Sequence, residues 1–341
     1  MKKKFVLVLA LVLIVATTAA FAGDIKFSGR VRQGYTFKFE NANGSTSTSV
    51  AQQREKEGKL AIKVSDADGL WALSFGDVGS LDSDDKLAAS ASVDLSKALA
   101  TTGVDLGDVA LAYTIGNNAA DTVLNTYADG TSNHYQRIKT NGTMVTTMTV
   151  GYGSLVKVKL AADPTDATKT FAASSIIAPV DGIKFSVAYG NNVKIQNGSI
   201  AAKNAIGGDA NIDLAKLAAL DFKCSVSGGA SYGIEEKNLV AFAQVTGGVE
   251  AVDGFVEYAY TVDKANYLKA QVNFNMVDGL GIDAYAELPD LAKISESKLT
   301  IGGDASYTLG GVSYSLNVEN GYTASTKTNV FTITPAVAIS F

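Results

Sequence analysis

Cysteine, histidine, tryptophan and proline are nearly missing from this chain. Its 341 residues hold one cysteine, one histidine, one tryptophan and four prolines, and only 18% are charged. The single thiol, Cys224, closes no disulfide within the chain and cannot make the thiolate cage of a structural zinc site. The single imidazole, His134, removes every mechanism that needs two. Low proline and low charge, beside 47% hydrophobic residues, exclude a disordered chain or a proline-rich linker. Beyond the N-terminal segment no stretch approaches the ~20 apolar residues of a membrane-spanning helix. Nor is there a basic stripe suited to nucleic acid, since 34 acidic residues outnumber 29 basic ones.

What is present begins with an address label. Lys2, Lys3 and Lys4 precede an apolar run from Phe5 to Val15, and Ala20-Phe21-Ala22 sets small residues at the two key positions of a cleavage site. That is the tripartite pattern of a secretory signal peptide. A membrane anchor would need a basic stop-transfer flank, and none follows. Gly23 after the expected cut, in place of Cys, argues against a lipid anchor. The expected organisation is a removed segment 1–22 and a single domain 23–341. Loss of the three lysines takes the 29 basic residues to 26, against 34 acidic.

The remainder alternates with a period of two. Ile25, Phe27, Val31, Tyr35, Phe37 and Phe39 occupy odd positions, while Lys26, Ser28, Arg30, Arg32, Thr36, Lys38 and Glu40 occupy even ones. Successive side chains of a strand point to opposite faces, so one face here is apolar and the other charged. Leu60, Ile62 and Val64 repeat the pattern, as do Val156, Val158 and Leu160. So do Val226, Tyr232 and Ile234, then Leu280, Ile282 and Ala284, and Leu299, Ile301 and Tyr307.

Short turns separate these runs. Asp68-Gly69, Asp181-Gly182, Asp253-Gly254 and Asp278-Gly279 are each followed by an apolar residue, and Asp-Gly suits the positive backbone angles of tight hairpins. Four more tight ends are expected near Ser96 to Asp108, Gly153-Ser154, Leu214 to Leu220 and Gly310-Gly311. Eight turns on one side join sixteen strands, and two terminal strands make eighteen. A calcium reading of Asp66, Asp68 and the cluster Asp82 to Asp85 lacks the spaced ligand loop and its terminal Glu, so turn chemistry is the better account.

A soluble sandwich also alternates, but this many strands would make an unusually large one. Trp71, Tyr152, Tyr189, Phe222, Tyr232 and Tyr307 fall near strand ends, where an interfacial girdle sits. The chain stops on a strand in which Phe331, Ile333, Val337, Ile339 and Phe341 alternate with small or polar residues. This ending resembles the C-terminal assembly strand of outer-membrane β-barrel proteins, and with the leader the whole chain resembles a Gram-negative-type porin. The fold expected is all-β, a transmembrane antiparallel up-and-down barrel of about 16–18 strands. Pro335 departs from the pattern, because it lacks a ladder donor. It predicts a bulge, or a last strand that starts after it.

In lipid every backbone polar group must be paired internally, and with strands only a closed barrel achieves this. The apolar faces then meet lipid and the charged faces line a lumen too wide for side chains to fill. The expected lining is Lys26, Arg30, Arg32 and Lys38 on the first strand and Lys59 and Lys63 on the second, with Asp283, Glu287, Asp304 and Glu319 on late strands. Opposed charges on a channel wall orient permeating dipoles. The longest connection runs from Asn117 to Gly142 and carries Asp121, Asp129, His134, Arg137 and Lys139. The resemblance implies that this third connection folds inward as a constriction, although the family's acidic-aromatic-glycine signature is absent; a loop left on the surface is the other reading.

The resemblance further implies an outer-membrane location, passive diffusion of small hydrophilic solutes and ions, no cofactor and no metal. Its implied partners are outer-membrane lipid and the barrel-assembly machinery, which would engage the C-terminal strand. It also admits a homotrimer, for which Gly29 and Gln33 on the outer face of strand one are the candidate contact. The alternative is a non-conducting surface barrel, an adhesin or antigen, to which the Ser- and Thr-rich segment Asn41 to Glu57 would suit. An outer-membrane hydrolase needs a histidine with a partnered nucleophile or carboxylate, and no such motif is present.

Overall fold

The computed structural model describes residues 24–54, 59–76, 88–116, 122–124, 138–140, 145–164, 170–195, 200–262 and 265–340. The leader and the cluster 82–85 lie outside the described residues. One antiparallel sheet begins with β1 (Asp24–Ala42), β2 (Ser45–Arg54), β3 (Lys59–Ser65), β4 (Trp71–Gly76), β5 (Ala88–Asp94) and β6 (Val109–Gly116). It continues through β7 (Thr122–Leu124), β8 (Ile138–Thr140), β9 (Val145–Tyr152), β10 (Val156–Ala162), β11 (Phe171–Val180), β12 (Ile183–Ile195) and β13 (Ile200–Asp213). The last strands are β14 (Lys223–Gly233), β15 (Asn238–Val249), β16 (Val252–Thr261), β17 (Ala265–Val277), β18 (Leu280–Leu288), β19 (Lys298–Leu309), β20 (Val312–Thr323) and β21 (Thr328–Ser340).

The pairing closes this sheet on itself. β2 and β3 follow one another along β1, from Ala42↔Ser45 to Gln33↔Arg54 and then from Arg30↔Lys59 to Asp24↔Ser65, so they share one wall position. β7 and β8 form a hairpin outside the wall order, and β6 passes directly to β9. β21 returns to β1 from Ala42↔Thr328 to Arg30↔Ser340. The twenty-one strands therefore make an eighteen-strand closed up-and-down barrel, as the turn count anticipates.

Seven of the eight tight ends on the terminal rim stand where the sequence puts them. Two are short helices, α1 (Leu95–Thr101) and α2 (Leu214–Ala218). Asp94 caps the first by accepting from Lys97 N at 3.0 Å, and Asp213 caps the second by accepting from Lys216 N at 3.1 Å. Gly182 and Gly279 hold φ of 90° and 78°, which explains the glycine after each Asp. The eighth turn corrects the expectation. Asp253 and Gly254 lie inside β16, paired with Gly248 and Gly247, and the chain turns at Glu250-Ala251. A Cβ on Gly254 would sit 2.3 Å from the Gln271 carbonyl oxygen, so this glycine serves close strand approach rather than a turn. In the first turn Asp66 Oδ1 accepts from Trp71 N at 3.0 Å, a contact of turn chemistry.

Pro335 is a second correction. β21 neither bulges there nor starts after it, because its ladder to β20 runs unbroken through Leu316↔Pro335. Only the ladder to β1 lapses, between Gly34↔Ala336 and Phe37↔Ile333. The missing N–H thus falls at the seam between the first and last strands.

The alternation resolves into two faces. Val31, Tyr35, Phe37 and Phe39 on β1 are exposed, as are Phe185, Val187 and Tyr189 on β12 and Val337 and Ile339 on β21. Their sequence neighbours Ser186, Ala188, Ala336 and Ala338 are buried. Across a strand pair, opposed residues share a face, so one largely apolar set runs from Val31↔Ile339 to Phe39↔Phe331, interrupted by Gln33. It forms the outside of the ring. Trp71 opens β4 and Tyr152 closes β9 at the terminal rim; Tyr232 lies one residue from the end of β14 at the other.

Candidate functional site: the inner wall

The inner face divides into a covered arc and an open one. Among the described residues, the buried polar side chains of the wall's inner face are Ser174, Ser186, Asp209, Ser227, Ser231, Gln244, Glu257, Thr261 and Lys269. They lie on one contiguous arc, β11 to β17. Charged inward residues on the rest of the ring keep exposure: Arg30, Arg32 and Lys63 are exposed, and Asp283, Glu287, Asp304 and Glu319 are half-buried, whereas the small inward residues Ala336 and Ala338 of β21 are buried.

On the covered arc polar groups are tied to one another. Ser186 Oγ donates to Asp209 Oδ1 at 2.5 Å, Asn211 Nδ2 to Ser227 Oγ at 2.7 Å, and Gln244 Nε2 to Glu257 Oε2 at 3.3 Å. The Lys269 ammonium sits over the Tyr285 and Phe255 rings, at 5.1 and 5.8 Å from their centroids. These partners offset part of the desolvation cost of the arc, while Ser231 Oγ and Gln244 Oε1 are buried there with no hydrogen-bond partner among the described residues.

Part of the cover is the third connection. Ile138 of β8 is fully buried in one apolar cluster with Ala161, Ala172, Ala188 and Ala205. Those alanines alternate with outward Leu160, Phe171, Val187 and Ile206, so Ile138 lies against the inside of the wall. β8 also extends the sheet, pairing Thr140 with Val193 and Lys139 with Lys194 of β12. Asn192, at φ 49°, separates the outward run ending at Tyr189 from Val193 and Ile195, which join the buried cluster. Gly190 completes the seat: a Cβ there would lie 2.5 Å from Val193 Cγ1 and 3.3 Å from Ile138 Cγ2.

On the open arc the charges gather about the seam. Lys38 pairs with Glu40 at 2.5 Å. Tyr285 Oη donates to Glu319 Oε1 at 2.5 Å, and Asn317 Nδ2 to Asp304 Oδ1 at 3.0 Å. Asp283 lies directly opposite Asp304, and Glu319 opposite Thr332, which is itself opposite Lys38. Farther round, Ser92, Thr114 and Thr147 form an uncharged hydroxyl row across β5, β6 and β9, and Ser74 of β4 stands opposite Ser90 of β5. At the rims, Lys216 Nζ donates to Asp181 Oδ1 at 3.1 Å and holds that carboxyl below its usual range. The Asn204 amide donates to Glu235 Oε1 at 2.6 Å with the same effect.

Most of the sequence-derived lining is thus brought to one wall. Lys26, Arg30, Arg32, Lys38 and Lys63 share the inner face of β1 and β3, and Asp283, Glu287, Asp304 and Glu319 that of β18 to β20. Lys59 is placed by its backbone opposite Arg30. The opposed-wall picture is replaced by a closer one: acids on β18, β19 and β20 stand four, three and two strands from β1, on a neighbouring arc. Asp121, Asp129, His134 and Arg137 lie outside the described residues, as does Phe341. Phe331, Ile333, Val337 and Ile339 share the outer face of β21. Sequence reasoning missed Gln244, Glu257 and Lys269; polar residues at alternate positions within otherwise apolar strands were the available signal.

No protein-family model and no curated protein matches this chain. Among solved structures, the chain is similar to OpdQ of Pseudomonas aeruginosa, with a TM-score of 0.58 at 11% identity over 94% of this chain and 99% of that one. A mutant of the Rhodopseudomonas blastica porin aligns with a TM-score of 0.46 at 12% identity, over 93% of this chain and 100% of that one. The OpdQ likeness is one of fold: both chains are large closed β-barrels.

Proposed function

We propose that this barrel is an outer-membrane porin, a water-filled channel for passive diffusion of small hydrophilic solutes and ions. One observation carries the reading: an apolar, exposed outside encloses an inner wall whose charged side chains remain accessible along a continuous arc. Exposed apolar area on this scale does not persist in water, and a bilayer is the solvent that accommodates it around a closed sheet. A ring of eighteen strands is too wide for side chains to fill. The leader 1–22 would be removed on export, and the β21 outer face of Phe331, Ile333, Val337 and Ile339 would be read by the assembly machinery. Lys26, Arg30, Arg32, Lys38 and Lys63 with Asp283, Glu287, Asp304 and Glu319 are the proposed lining, and β8 the proposed constriction. The test is planar-bilayer recording of the refolded chain 23–341. Discrete conductance steps are expected; their absence, in protein that shows heat-modifiable migration, overturns the reading in favour of a non-conducting surface barrel.

A further inference from the structure

We propose that Glu235 and Glu236, in the turn between β14 and β15, are positioning residues for the constriction: they clamp the bend in the β12–β13 hairpin on which β8 is seated. The inference rests on the reading of β8 as the constriction and adds what holds it in place from outside its own connection.

The hairpin bends at one level. Its ladder runs from Ile183↔Ile212 to Asn191↔Asn204 and resumes at Val193↔Ala202, so Asn192 and Lys203 are passed over on both strands. Asn192 holds φ 49° there. Beyond that level Val193, Ile195, Ile200 and Ala202 are buried in the same apolar cluster as Ile138, and Val193 pairs with Thr140 of β8.

The neighbouring turn supplies what keeps the bend. β13 outlasts its ladder to β14, which ends at Ala205↔Gly233. Lys203 N then donates to Glu236 Oε1 at 3.0 Å, and Asn204 N to Glu235 Oε2 at 3.1 Å. Successive amides of a straight strand point to opposite edges, so two neighbours reach one turn only where the backbone swings. The Asn204 side chain carries the hold across to β12. Its Nδ2 donates to Glu235 Oε1 at 2.6 Å, while its Oδ1 accepts from Tyr189 Oη at 2.8 Å and Asn191 Nδ2 at 3.1 Å. Ionised carboxylates make such bonds charge-assisted and roughly twice as strong as neutral ones. Asn192 Nδ2 donates to Thr170 Oγ1 at 2.8 Å, which fastens the other strand of the bend.

The test uses the full-length mature barrel refolded into liposomes, with Cys224→Ser as background and a charged methanethiosulfonate as probe. A reporter cysteine replaces Ala202, 3% exposed beyond the bend, and a control cysteine replaces Ala338, 4% exposed on β21. Glu235→Ala with Glu236→Ala should make Ala202→Cys react more than roughly tenfold faster, following thiol exposure, and leave Ala338→Cys unchanged. An unchanged rate at Ala202→Cys overturns the clamp. Equal acceleration at both positions overturns it too, because that is general loosening of the barrel. Ile200→Cys repeats the readout if Ala202→Cys misfolds. Single-channel current is recorded in parallel on the barrel without reporter cysteines. The double alanine variant should raise mean conductance and current noise, and adding Ile138→Ala should raise them little further, since both release one element. Additive increments would separate the glutamates from β8 and count against the proposal. Glu296→Ala, at a carboxylate in the β18–β19 connection on the same rim, should leave conductance unchanged. An equal rise there would assign the effect to charge lost at the mouth. A barrel without current fails the pore reading, while the labelling rates still decide the clamp.

Discussion

Thr36 and Thr334 join side chain to side chain, Oγ1 to Oγ1 at 3.0 Å, across the stretch of the β1–β21 seam where Pro335 interrupts the ladder. The hydroxyl pair does part of the work that backbone bonds do elsewhere. Close by, the two strands meet so tightly that a Cβ on Gly34 would lie 2.6 Å from the Pro335 carbonyl oxygen and 2.7 Å from Ala336 Cβ.

Two seam substitutions test this. Thr36→Val should destabilise the barrel by about 0.5–1 kcal/mol, the range of a cross-strand hydroxyl pair. Gly34→Ala should cost more, about 1–3 kcal/mol, because backbone has to shift. Urea titration in detergent micelles, followed by tryptophan emission from Trp71, gives both values. A Gly34→Ala barrel as stable as the parent would show that the seam relaxes freely.

Reversing the sign on the inner face of β1 should change ion preference without changing the fold. Arg30→Glu with Arg32→Glu leaves the outer face untouched, since both side chains share the inner face with Ala338 and Ser340. Reversal potentials in a salt gradient are expected to move toward cations. An unchanged potential would place these residues away from the permeating ions.

The outer face should refuse charge. Val31→Lys or Phe37→Lys introduces an ammonium among exposed apolar side chains and should cost up to ~2–4 kcal/mol, according to depth in the bilayer. Lys at Thr332, on the inner face, should be tolerated. Refolding yield into lipid vesicles separates the two cases, and equal yields would mean the faces are assigned the wrong way round.

Loosening the inner hairpin should widen the proposed constriction. Ile138→Ala leaves a void among Ala161, Ala172 and Ala188, and such truncations cost about 2–5 kcal/mol locally. Larger mean conductance with more current noise is expected in single-channel records. A trace identical to the parent would separate β8 from the constriction.

One rim contact gives a titration test. Asp181 has a folded pKa lowered by Lys216, so its ion pair contributes above the unfolded carboxylate value and is lost as pH falls through the folded one. Carboxyl NMR shifts in micelles should show Asp181 titrating below an ordinary aspartate, and Lys216→Met should return it to the normal range. No return would assign the shift to another group.

The sequence makes the ring legible because a wall wet on one side and apolar on the other writes its period into every strand. Val31, Phe37 and Phe39 against Arg30, Lys38 and Glu40 suffice for the facing of β1. Turn chemistry places the hairpins, and its one failure is instructive: Gly254 follows an Asp, yet it is there for the Gln271 carbonyl, a partner in the next strand that no local rule contains. Pro335 misleads for a similar reason, since one side of its strand pairs normally and only the other feels the missing donor. The division into covered and open arcs is invisible in the sequence. Ser227 and Thr332 both read as inward polar residues, and only ring order and the seating of Ile138 tell them apart.

The ring is sealed by residues 298 positions apart, Thr36 and Thr334 among them. Bringing such distant segments together carries the largest loop-closure entropy this chain can incur, and it is rewarded only when every intervening hairpin is already in place. Closure should therefore be the last and slowest event of biogenesis. A ribosome that stops before β21 would release a curled sheet with two raw edges, a form prone to aggregate rather than a smaller working vessel.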